Sequence, residues 1–97
     1  MDRKEVLDAA AKACLITRSA QYSHPKDAFF SISKLWNTWY GIRKPGEFNA
    51  VDVAMMLAMV KQARLSSNPT HEDSWIDLAG YAACGGEVAT QNASPSR

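Results

Sequence analysis

The segment from Asp52 to Arg64 constrains the fold of this chain more than any other, because it contains an uninterrupted apolar run from Val53 to Val60. A helix with this composition is apolar around its whole circumference, so we expect neighbouring elements to cover it on every side. Charged residues stand only at its ends, with Asp52 at the start and Lys61 and Arg64 at the close. Each of these charges therefore serves either as a helix cap or as part of a site.

The chain has 97 residues, 46% of them apolar and 22% charged, which is typical of one small soluble domain. A core of this size gains from a second copy, so we expect a homo-oligomer. The net charge of +1 argues against a protein that binds nucleic-acid duplexes. No apolar run approaches the ~18 residues that cross a bilayer, and the charged start does not form a signal peptide. We therefore expect a cytoplasmic protein with no membrane contact.

Two cysteines, Cys14 and Cys84, stand far apart in the sequence, with no Cys-x-x-Cys and no histidine at ligand spacing. This pattern gives no support for zinc. It favours a reduced pair of thiols packed inside the protein.

Periodic apolar residues and capping signals predict an all-α protein with four helices. The first runs from about Arg3 to about Arg18, after a cap at Asp2. The second begins at Pro25, with Ser23 or His24 as its cap, and ends before a turn-rich segment at residues 41–46. The third is the apolar helix, for which Asn49 is the predicted cap, with Asp52 three residues later.

The fourth helix is predicted from about His71 to about Cys84, with Thr70 and Asp73 at its start and Gly85-Gly86 as its carboxyl-end cap. Residues 87–97 are polar and unpatterned, so we expect a short tail after a single domain at residues 1–86. Short connections between the helices predict a compact four-helix bundle.

Two carboxylates on the fourth helix, Asp73 and Asp77, lie one turn apart on the same face. Like charges at this spacing repel, and a metal ion or a donor between them removes the repulsion, so together they are a candidate metal site. A solvated helix face is the structural alternative. Gly80 on the same face favours a site, because a glycine inside a helix costs ~1 kcal/mol relative to alanine and often marks a close approach.

Lys61 and Arg64 share a face near the carboxyl end of the central helix, where cations interact favourably with the helix dipole. They are also placed to hold a phosphate or to pair with Asp77. The first connection gathers further polar candidates for ligand contact, which are Arg18, Gln21, Tyr22 and His24. A histidine beside a proline is more typical of a helix cap, and aromatic residues at helical spacing, such as Trp36, are more typical of a core than of a base-stacking surface.

Several sequence blocks together resemble a known family. They are Arg18-x-x-Gln21-Tyr22, Phe29-x-x-Ile32, Leu35-Trp36, Asp52-Val53-Ala54, Lys61-x-x-Arg64 and Asp73-Ser74-Trp75-Ile76-Asp77-Leu78-Ala79-Gly80-Tyr81. They resemble a family of small phage and prophage proteins that is distantly similar to the MazG-like all-α nucleoside triphosphate pyrophosphohydrolases. The resemblance extends to about Gly86. It implies a MazG-like helical bundle that oligomerises in the cytosol of a host cell.

The resemblance implies magnesium if the protein is a hydrolase, held by Asp73, Asp77 and Asp52, with Glu72 nearby. MazG-like enzymes use a Glu-x-x-Glu and a Glu-x-x-Asp on successive helices, whereas this central helix offers Asp52 alone, with Met55 three residues later. Because the acidic ligands are few, we expect a cofactor-free protein that binds a nucleotide or a nucleotide immune signal of the host. An interaction protein with no small ligand is the third possibility. The candidate ligand-binding residues are Arg18, Gln21, Tyr22, His24, Trp36, Lys61, Arg64, Asp77 and Tyr81.

Overall fold

The computed structural model describes residues 1–17, 24–44 and 46–91 of the chain. Its elements are α1 (Arg3–Lys12), a π-helical segment (Ala13–Thr17), α2 (Pro25–Arg43), α3 (Ala50–Ser67) and α4 (Glu72–Gln91). Within these ranges there is no β-strand, so the prediction of an all-α protein with four α-helices is confirmed.

The starts of the first three helices follow the capping chemistry that the sequence predicts. Asp2 accepts a hydrogen bond from the Glu5 N–H at 2.8 Å, and His24 Nδ1 accepts one from the Lys26 N–H at 3.1 Å. Asn49 and Asp52 form a reciprocal capping box at the start of α3. These contacts satisfy backbone donors that a helix start leaves without a partner, which is why the predicted starts are correct.

The fourth helix differs from its prediction at both ends. It begins at Glu72, and the side-chain contact at its start joins His71 Nδ1 to the Ser74 hydroxyl at 2.8 Å, rather than Thr70 to Asp73. It then continues through Gly85 and Gly86 as far as Gln91, so the predicted glycine cap is wrong. Residues 87–91, which were expected to begin the polar tail, therefore belong to this helix.

Gly85 has a different role, because it lets α4 approach α3 closely. A Cβ atom built at this position would lie 2.9 Å from the Cβ of Ala54, closer than two carbon atoms pack. At Gly80, by contrast, an added Cβ meets nothing within 4 Å. The close approach of another helix therefore occurs at Gly85 and not at Gly80.

The central position of α3 is confirmed, but its complete coverage is not. Among the described elements, α3 packs against both α4 and α2, whereas α2 and α4 do not contact each other. Contacts from α2 reach Asp52, and contacts from α4 reach Lys61. These positions are nine residues apart, which at about 100° per residue places them on opposite sides of α3.

Between these two contacts, one side of α3 is left exposed by the described elements. It carries Val53, Leu57 and Val60, at the spacing of one helix face, and we call these three residues the open face. Val53 is 50% exposed and Leu57 is 39% exposed. Among the described residues, neighbours therefore do not cover α3 on every side, and that expectation is wrong there.

The described part of α1 packs only with the π-helical segment that continues it. Both its Leu7 and the Ile16 that follows in the π-helical segment are exposed. The Cα radius of gyration is 16.0 Å, against about 12.5 Å for a compact chain of this length. The expectation of a compact bundle is wrong for α1.

The expected packed pair of thiols is also wrong, because Cys14 and Cys84 are both exposed.

Candidate functional site

A cross-helix ion pair joins α3 to α4, with Lys61 Nζ 2.9 Å from Asp77 Oδ2. The lysine side chain is 14% exposed and the aspartate side chain 47% exposed, so the carboxylate is accessible while the stem of the lysine is packed. This confirms the expected pairing of Lys61 with Asp77. A pair this exposed stabilises a fold by at most about 1 kcal/mol, so its contribution to stability is small.

Further polar groups gather at the same end of the molecule. Arg64 lies one turn beyond Lys61 on α3, half-buried, and its carbonyl accepts a hydrogen bond from the Asn68 N–H at 3.0 Å. His71 follows at the start of α4. Because α2 runs antiparallel to α3, His24 at the start of α2 also lies at this end. We call Lys61, Arg64 and Asp77 the polar corner.

Asp52, at the opposite end of α3, is completely buried, with an exposed fraction of 0%. Its Oδ1 accepts from Trp39 Nε1 at 3.2 Å and from Arg43 Nε at 3.0 Å, and its Oδ2 accepts from the Asn49 N–H at 2.9 Å. Both carboxylate oxygens are thus occupied by donors of the protein itself. Of the two roles that the sequence left open, the structure supports the cap.

The pKa of Asp52 reflects the same contacts. Burial alone raises the pKa of this carboxyl, because it disfavours the charged form. The hydrogen bonds from Asn49, Arg43 and Trp39 and the charge of Arg43 outweigh burial, so the pKa is lowered from its ordinary value of 3.8. The carboxylate is therefore ionised at neutral pH, as the partner of a buried guanidinium.

Arg43, which the sequence analysis did not single out, organises this end of the fold. Besides Asp52, its guanidinium donates to the carbonyls of Lys44, Gly46 and Glu47, at 3.2, 3.4 and 2.7 Å. Its Cζ also lies 4.7 Å from the ring centre of Phe48, in cation–π contact. An arginine in the last turn of a helix is ordinarily explained by the helix dipole, so no local signal distinguishes this one.

The three carboxylates expected to hold a metal do not come together. The α4 helix returns antiparallel to α3, with Gly85 level with Ala54 and Asp77 level with Lys61. Asp73 is twelve residues from Gly85, so it lies roughly 18 Å along the helix from the end of the pair where Asp52 is buried. Asp73 itself is exposed. Across the described ranges no group of three or more His, Cys, Asp or Glu side chains is placed to hold a metal ion.

The remaining candidate residues take several positions. Arg18, Gln21 and Tyr22 lie outside the described residues. The indole N–H of Trp36 donates to the Met56 carbonyl at 3.0 Å and so ties α2 to α3. Tyr81 is half-buried, one turn beyond Asp77 on α4. Of the expected set, the structure therefore pairs Lys61 with Asp77, and Arg64 and Tyr81 follow them one turn further along α3 and α4.

These features define a small all-helical protein with an accessible ion pair at one end of its central helix and a buried one at the other. Over residues 1–17, 24–44 and 46–91, no helix combines the length and apolar character needed to cross a membrane.

The chain belongs to the family described as a domain of unknown function, DUF6378, whose model matches residues 5–89. It is 32% identical to the Gene 55 protein of Mycobacterium phage D29 over 81 residues, which cover 84% of this chain and 51% of that protein. It is 35% identical to the Gene 55 protein of Mycobacterium phage L5 over 65 residues, covering 67% of this chain and 40% of that protein. The expected relation to small phage proteins is thereby confirmed.

The chain spans about half the length, or less, of these two curated relatives. No solved structure matches it significantly. The expected similarity to MazG-like enzymes therefore stays a prediction.

Proposed function

We propose that this phage protein binds a nucleotide or a nucleotide-derived signal of the host through the polar corner. The observation that carries the proposal is the Lys61–Asp77 pair, at 2.9 Å with an accessible carboxylate. Arg64 lies one turn away along α3. The proposal also draws on the predicted similarity to MazG-like nucleotide pyrophosphohydrolases, which is itself untested.

Each member of the polar corner has a distinct role in this proposal. Arg64 donates to phosphate oxygens in a bidentate manner, which suits a planar guanidinium. Lys61 contributes a compact charge whose packed stem limits its motion. Asp77 keeps Lys61 in place in the absence of ligand and accepts a hydrogen bond from a sugar hydroxyl or a base N–H in its presence.

The proposed role is sequestration, with hydrolysis as the alternative that the test distinguishes. Magnesium in phosphate-transfer sites needs only one or two carboxylates besides water and substrate, and Asp77 with Asp73 and Glu72 would have to supply them. Because Asp52 is fully engaged with its protein donors, it adds nothing to such a set. A binder that holds a signal molecule intact needs no metal.

A thermal-shift panel of nucleoside triphosphates and cyclic dinucleotides, with and without magnesium, tests the proposal. We expect at least one compound to raise the melting temperature without magnesium, because binding only to the folded state stabilises it. Chromatography of the same mixtures should then return the compound intact. If monophosphate and pyrophosphate appear only with magnesium, the protein is a hydrolase. If no compound raises the melting temperature, the nucleotide-binding proposal is wrong and an interaction protein with no small ligand is the remaining interpretation.

Two variants locate the site. Arg64→Gln and Lys61→Gln should each weaken binding by about 10- to 100-fold, the loss typical of a charged hydrogen bond. Lys34→Gln is the matched control, because Lys34 is exposed on α2 and lies over the ring of Phe30, away from the polar corner. Equal affinity in all three variants would place the ligand elsewhere.

A further inference from the structure

The open face of α3 and the apolar side of α1 are both exposed to solvent among the described residues. On α1 and its continuation, Val6, Ala10 and Cys14 follow one another at four-residue spacing, with Leu7 beside them and 68% exposed. On α3, Val53, Leu57 and Val60 form a matching apolar strip. Burial of two apolar helix surfaces that the same chain exposes to water contributes favourable free energy to association.

The exposed area of the chain is large enough to indicate a partner. Its accessible surface is 7345 Å² for a mass of 10.7 kDa. A compact monomer of this mass exposes about 5,500 Å², roughly 1,800 Å² less. A standard interface buries about 800 Å² on each partner, and obligate homodimers bury more. Of the described apolar side chains, only Ala63 and Leu65 are fully buried, so the chain alone has a small core.

We propose that α1 of one copy covers the open face of a second copy, in a reciprocal exchange that forms a dimer. A second copy fits this role because each chain carries one α1 helix and one open face. Two copies related by a two-fold axis therefore bury both α1 helices and both open faces. Within the chain, the described part of α1 contacts none of the other three α-helices, and it is therefore available to another copy.

The two surfaces also match in length. From Val6 to Cys14 a helix rises about 12 Å, and from Val53 to Val60 about 10 Å.

Oligomeric state measured by light scattering tests the proposed exchange. The wild type should be a dimer, and Leu57→Lys and Leu7→Lys should each be monomeric, with helix content checked by circular dichroism. Leu7→Lys remains informative if Leu57→Lys does not fold, because α1 packs against none of the other α-helices within the chain. Ile76→Lys is an equally drastic change at an exposed site on α4, outside the proposed interface, and this variant should stay dimeric. A monomeric wild type, or a dimer unaffected by both leucine variants, would refute the exchange.

Two variants distinguish a failure of the dimer proposal from a failure of the nucleotide-site proposal. Lys61→Gln should weaken ligand binding and leave the dimer intact, because the proposed exchange covers the apolar strip and not the ion pair. Leu7→Lys should abolish the dimer whether or not any nucleotide binds.

Discussion

The two ends of α3 carry the same pair of chemical groups in opposite environments. At the α2 end, Arg43 and Asp52 are both buried and every carboxylate oxygen has a protein donor. At the α4 end, Lys61 and Asp77 form an equally short contact, but the carboxylate is nearly half exposed. Distance alone does not distinguish a structural ion pair from an accessible one, whereas burial and the number of donors do.

The difference follows from the cost of desolvation. A buried guanidinium without a counter-charge is strongly unfavourable, so the buried pair is needed for the fold whatever the protein binds. An exposed pair gains little from folding and can exchange its partner for a ligand at a low cost. We therefore assign Arg43–Asp52 to the fold, and the proposed binding function rests on Lys61–Asp77.

Substitution of Asp52 should have the largest effect. Asp52→Asn keeps the shape but removes the charge, and its single amide oxygen cannot accept from the three donors that now meet both carboxylate oxygens. We expect a loss of about 3–5 kcal/mol in the free energy of unfolding, measured by urea denaturation. Asp73→Asn, at an exposed position, is the control and should change stability little. A loss below about 1 kcal/mol for Asp52→Asn would show that the buried pair is dispensable.

The contact that sets the distance between α3 and α4, and therefore the geometry of the polar corner, should give the next largest effect. Gly85→Ala places a methyl group 2.9 Å from the Cβ of Ala54, so the helices must move apart. We expect a cost of about 1–3 kcal/mol in unfolding experiments, as in other overpacked cores.

Gly80→Ala is the matched control, since the same methyl group meets nothing within 4 Å. It should stabilise the helix by up to about 1 kcal/mol. Equal effects of the two substitutions would mean that α4 does not pack on α3 as closely as the structure indicates.

Lowering the pH should weaken the buried Arg43–Asp52 ion pair. Because the folded-state pKa of Asp52 is lowered below 3.8, its stabilising contribution is present above that value and is lost as pH falls through the folded-state pKa. The free energy of unfolding of the wild type should therefore fall in acid, when measured in urea from neutral pH down to about pH 3. Asp52→Asn lacks this contribution, so its stability should depend less on pH over the same range. Parallel curves for the two proteins would show that Asp52 is not the group responsible.

Local signals in the sequence predict the helices well and their tertiary contacts poorly. Asp2, His24 and Asn49 cap helices where the pattern indicates, because a cap depends only on residues a few positions away. Gly85 was interpreted as a helix end by the same local rules. Its actual role depends on Ala54, thirty-one residues earlier, which no local pattern reveals.

The candidate site shows the same division. The pairing of Lys61 with Asp77 was predictable because both lie on predicted helices that short connections make antiparallel. The role of Arg43 was not, since its partners are mostly backbone carbonyls of a turn whose path depends on that arginine. The apolar run of α3 correctly indicated a central helix, but it did not indicate that Val53 and Leu57 would remain exposed among the described elements.

Substitution of Asp77 should have the smallest effect on stability. Asp77→Asn removes a charge whose side chain is 47% exposed, so the free energy of unfolding should change by no more than about 1 kcal/mol. Binding responds differently if the polar corner is the site, because Lys61 loses the partner that holds it and the ligand loses an acceptor. The decisive measurement compares two losses for Asp77→Asn. The loss in the free energy of unfolding comes from urea denaturation, and the loss in affinity comes from titration with the nucleotide that raises the melting temperature. If Asp77→Asn lowers stability as much as Asp52→Asn and leaves binding unchanged, the two ends of α3 do not differ in role, and the polar corner belongs to the fold alone.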